Sequence, residues 1–61
     1  MTKKQLLKDL QSRVNDYIKQ TDRFYEAAKK LNNDWQIAEY DGKKTGFETV
    51  LALLKAYEME L

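Results

Sequence analysis

The chain has 61 residues, with 11 Lys and Arg against 10 Asp and Glu for a formal charge of +1, and it contains no Cys, His or Pro. These absences exclude disulfide scaffolds, zinc, haem and iron–sulfur sites built on Cys or His, and any Ser-His-Asp or Cys-His catalytic machine. Hydrophobic residues make up 43% of the chain, which favours a folded domain over a disordered segment, and no apolar run approaches the ~20 residues of a membrane span.

The first predicted element is a long helix. Thr2 followed three residues later by Gln5 has the spacing of a capping box, in which side chains and backbone at a helix start satisfy each other. From there Leu7, Leu10, Val14, Tyr17, Thr21, Phe24, Ala28 and Leu31 step by alternating threes and fours. That is a heptad seam of the coiled-coil kind, and it predicts a helix over residues 3–31, about 43 Å long. Leu6, Ile18, Tyr25 and Ala27 flank the seam and widen the apolar face. A face this broad suits a helix covered on more than one side, as in a bundle.

Asn32, Asn33 and Asp34 interrupt the pattern, and their side chains favour local bonds that stop one helix or cap the next. Asn33, with Gln36 three residues on, is an imperfect second start signal. Asp34–Asp41 reads as a short middle helix, toward which Trp35, Ala38 and Tyr40 lean, with a strand as the alternative, in which Trp35, Ile37 and Glu39 alternate with Gln36, Ala38 and Tyr40 without a clean polar face. Asp41-Gly42 is a stop signal. Thr45 and Glu48 then repeat the capping-box spacing, and Phe47, Val50, Leu54, Tyr57 and Leu61 resume the three–four steps. The spacing predicts a last helix over residues 46–60.

Together these elements predict an all-α helical hairpin made of a long N-terminal helix, a short middle helix and a C-terminal helix. They form one domain, residues 1–61. Residues 1–30 carry eight cations and four carboxylates, and residues 31–61 carry three and six, so the halves differ in sign at +4 and −3. Folding back places Glu58 and Glu60 near Lys3 and Lys4, charges that otherwise oppose the helix dipoles. A chain this short buries only about 60% of its unfolded surface. With no Cys or His to staple it, self-association into a dimeric helical bundle is the expected source of further stability. The first helices would lie at the centre of that dimer.

No residue pattern points to catalysis. Asp22 and Glu26 share a helix face, but Lys29 and Lys30 follow at ion-pairing distance, which makes them surface charges. Glu58 and Glu60 have no acid–base partner. Asn32, Asn33 and Asp34 lack calcium-loop spacing, and the GKKTG of Gly42–Gly46 lacks the order of a phosphate-binding loop. Neither a metal nor a cofactor is expected. The basic residues of the first helix, Lys3, Lys4, Lys8, Arg13, Lys19, Arg23, Lys29 and Lys30, are interleaved with Asp9, Asp16, Asp22 and Glu26. They form no continuous phosphate-tracking stripe, and the mixed signs argue against a membrane-surface role.

The expected function is therefore stoichiometric protein–protein interaction, as a small regulator, inhibitor or assembly factor and not an enzyme. The alternative is an accessory nucleic-acid-binding protein that concentrates its basic first helices in a dimer. The self-association candidates are Leu7, Leu10, Val14, Tyr17, Phe24 and Leu31. Tyr25, Trp35 and Tyr40, near the bend, are the candidate contacts with an unidentified protein partner. Without a secretory signal in MTKKQLLKDLQS, a cytoplasmic location is expected. The Lys- and Asn-rich composition suits a bacterial or phage protein.

Overall fold

A computed structural model describes all of residues 1–61. It is all-helical, with two helices packed along each other and no strand. Helix α1 runs Lys3–Lys30 and helix α2 runs Asp34–Glu60. The hairpin is long and flat, 44 × 16 × 10 Å along its principal axes.

The start of α1 follows from the sequence signal. The Thr2 hydroxyl accepts from the Gln5 amide N–H at 3.1 Å, and the Thr2 N–H donates to the Gln5 side-chain oxygen at 2.8 Å. Both halves of the capping box are present. Its end is equally local. Asn32 adopts the left-handed φ of 53°, which Asn tolerates better than most residues. That turn lets the Asn33 N–H reach the Ala28 carbonyl at 3.1 Å and the Asn32 N–H reach the Lys29 carbonyl at 3.1 Å, the bond pair of a Schellman stop. Lys29 and Lys30 occupy the last turn, where cations favour the helix dipole.

Asn33 serves both helices. Its backbone closes α1, and its side-chain oxygen accepts from the Gln36 N–H at 3.1 Å to cap α2. Asp34 follows in the first turn, where a carboxylate is favoured. Three residues thus reverse the chain.

The expected short middle helix is not there. Helix α2 passes without a break through Asp41-Gly42, and its 27 residues replace both a middle and a last helix. The strand alternative for residues 34–41 falls with it. Thr45 does not cap a new helix either, and its carbonyl accepts from the Thr49 hydroxyl at 2.9 Å inside the continuous one. The reason is packing. Ile37, Tyr40, Lys44, Phe47, Leu51, Leu54 and Glu58 are half-buried at unbroken three–four steps, so α2 lies against α1 along its whole length. Gly42 and Gly46 lie on the opposite, exposed side of α2. They cost helix propensity there, about 1 kcal/mol each relative to Ala, but they remove no contact with α1.

The seam is thin. Only Thr21 and Ala28 are buried, and no large side chain is. Their small size lets the helices approach there. Leu7 and Val14 lie in line with them, one turn-pair apart, and are half-buried. Lys3 and Lys4 form no ion pair with Glu58 or Glu60. Glu58 instead accepts from the Gln11 side-chain amide at 2.6 Å.

Candidate interaction surface

The flat hairpin has two unlike faces. Along a helix, a residue three positions on turns to one side of the seam and a residue four positions on turns to the other. From the seam residues Leu7, Val14, Thr21 and Ala28, the four-step neighbours are Gln11, Ile18 and Tyr25. They lie on the polar face. There Gln11 bonds Glu58, and the Lys44 ammonium bonds the Asp22 carboxylate at 2.8 Å. That bond, with the attraction of the same carboxylate, raises the Lys44 pKa above its ordinary 10.5. Beside Glu58 an open polar depression is lined by Lys8, Gln11, Ser12 and Asn15 among others, with no apolar side chain. No group of three Asp or Glu could hold a metal ion anywhere on the chain.

The three-step neighbours are Leu10, Tyr17, Phe24 and Leu31, and they build the other face. Two stacked aromatic pairs span the helices on it. Tyr17 lies against Phe47 with ring centroids 5.6 Å apart, and Phe24 lies against Tyr40 at the same distance. A step of seven residues along α1 matches a step of seven back along α2. This fixes the antiparallel register and places Leu10 level with Leu54. Neither pair is sealed: Tyr17 is 55% exposed and Phe24 58%. Val50 and Tyr57 continue the face along α2, also exposed. The charged side chains at its margin, Arg13 and Lys43, each pair with a carboxylate one turn away on the same helix, Asp9 and Glu39.

The structure divides the residues singled out by sequence. Of the self-association candidates, Leu7 and Val14 are half-buried in line with the intrachain seam, whereas Leu10, Tyr17, Phe24 and Leu31 stand on the aromatic face. Of the partner-contact candidates, only Tyr40 joins that face, through its stack on Phe24. Tyr25 lies on the polar face, with the Lys29 ammonium 5.2 Å from its ring centre. Trp35 is 72% exposed on the first turn of α2, on the side away from α1. Phe47, Val50 and Tyr57 have the spacing of a helix core, and sequence reasoning did not place them on the exposed face. The signal was available: Val50 and Tyr57 lie three residues beyond Phe47 and Leu54, one step off the seam.

Comparison with protein-family models, with curated proteins and with solved structures finds no match to this chain. No helix is long and apolar enough to cross a membrane.

Proposed function

We propose that this chain is a small protein–protein interaction module that acts by stoichiometric binding, with the aromatic face as its binding surface. The observation that carries the reading is the pair of interhelical stacks, in which the α1 rings, Tyr17 and Phe24, lie ordered on half-buried partners yet stay more than half open themselves. Ordering large aromatic side chains and leaving them in water forgoes most of their hydrophobic stabilisation. Aromatic-rich patches of this kind mark interfaces, where Trp, Tyr and Phe dominate binding energy. A protein surface is the matching occupant, because the face offers rings and aliphatic groups with few charges to engage phosphate or a headgroup. The nucleic-acid alternative has less support, since Arg13 and Lys29 pair with Asp9 and Glu26 and the remaining cations of α1 stay interleaved with carboxylates.

Affinity capture from the native cell tests the reading. The wild-type chain should retain a protein, or a second copy of itself, in a fixed ratio, and Phe24→Glu should lose it. A wild-type chain that binds no protein and does not self-associate would overturn the proposal.

A further inference from the structure

We propose that the occupant of the aromatic face is a second copy of this chain, turned about a two-fold axis parallel to the helices. This rests on the reading of that face as a binding surface and adds its partner and geometry.

The hairpin exposes 4922 Å². A folded monomer of 7.2 kDa exposes about 4100 Å² by the scaling of surface with mass. The excess, about 800 Å², is surface that this elongated hairpin leaves open beyond a globule of its mass. A pair of chains, twice 7.2 kDa, would expose about 6800 Å² as a single globule. Reaching that figure from two separate hairpins buries about 3000 Å², within the range of obligate homodimers. The face is wide enough to contribute, since it runs from Leu10 to Leu31 on α1 and from Tyr40 to Tyr57 on α2.

Charge selects the arrangement. Two flat hairpins can meet face to face in two symmetric ways. An axis across the helices lays α1 on α1 and α2 on α2. An axis along them lays α1 of each chain on α2 of the other. The charges at the margin of the face are paired within each helix, Arg13 with Asp9 and Lys43 with Glu39, so the selection rests on the halves as wholes: α1 carries +4 and α2 −3, and the first arrangement stacks like net charge where the second stacks opposite. The axis along the helices also keeps the intrachain levels. Register then sets Arg13 of one copy opposite Val50 of the other, and Gln20 opposite Lys43. Trp35 and Leu53, on the outer edge of α2, stay outside this interface.

The chain has no Cys, so single thiols can be placed cleanly. The first measurement is the mass of the wild-type chain by light scattering at micromolar concentration, which should be twice 7.2 kDa. The second uses mixed Gln20→Cys and Lys43→Cys chains with a short bis-maleimide. Cross-links should join the two variants to each other, and neither variant to itself. The third compares Val50→Lys with Val50→Glu. The lysine faces the cationic α1 half of the second copy beside its Arg13–Asp9 pair and should weaken association about threefold more than the glutamate. Self-linked Gln20→Cys chains, or equal effects of the two Val50 variants, overturn the axis. A monomer that captures a different protein through this face overturns the second copy while leaving the binding surface intact. A monomer that captures nothing overturns both. The wild-type mass does not depend on whether any variant folds.

Discussion

The ring of Phe24 on α1 lies stacked on that of Tyr40 on α2, centroids 5.6 Å apart and planes 20° from parallel. Phe24 is nevertheless 58% exposed. The pair fastens the hairpin near its bend and presents the outer side of its rings to whatever lies beyond. Tyr17 and Phe47 repeat the arrangement two turns further along, with planes 16° apart. Contacts that join the helices to each other thus also build the face offered outward.

Gly42→Ala and Gly46→Ala should each stabilise the chain by about 1 kcal/mol, since Ala is the better helix former. A Cβ at either position meets nothing within 4 Å. Thermal melting followed by circular dichroism checks this, with an expected rise of several degrees per substitution. A fall would mean that the outer edge of α2 is occupied.

Asn33→Ala should cost about 1 kcal/mol, the usual loss when a helix cap is removed. Here the cap is the bond from the Gln36 N–H to the Asn33 side chain. Asn32→Gly should cost nothing or stabilise, because glycine adopts the φ of 53° without strain. Urea unfolding of the two variants beside wild type separates these outcomes.

Ala28 is 2% exposed and sits where the helices come closest to sealing. Ala28→Leu should destabilise by about 1–3 kcal/mol through overpacking. Leu54→Ala should cost less than the ~2–5 kcal/mol of a fully buried leucine, because Leu54 is only half-buried in the hairpin. A loss in the full range would show that Leu54 is covered from outside as well.

The first turn, the stop at Asn32 and the cap at Asn33 were legible in the sequence because each is a local device closed within five residues. The break expected at Gly42 was not a local matter. Its stop signal is genuine, but the steps from Ile37 through Phe47 to Leu54 keep α2 on α1, and that packing outweighs one glycine on the far side. The face was half legible. The alternation of Leu7 with Leu10 and Val14 with Tyr17 shows two apolar columns on α1. Which column turns toward α2 depends on how the second helix is rotated, and no spacing within α1 records that.

Lys44 links stability to alkaline pH. Its bond to Asp22 raises its folded pKa above the ordinary 10.5. The folded state therefore holds this proton more tightly than the unfolded chain. The contribution is fully present below 10.5 and is lost as pH rises through the folded value. Lys44→Met should remove that part of the alkaline fall, and melting of both chains across that range measures the difference.

The most direct test of the aromatic face is hydroxyl-radical footprinting of the wild-type chain at micromolar concentration. Trp35 serves as the internal reference, because it is 72% exposed and lies outside the proposed interface. With the aromatic face covered by a second copy, Tyr17, Phe24 and Tyr57 should be protected well beyond their exposure in the hairpin, while Trp35 is oxidised freely. Oxidation of Tyr17 and Phe24 in proportion to that exposure, unchanged on concentration, would contradict a covered face.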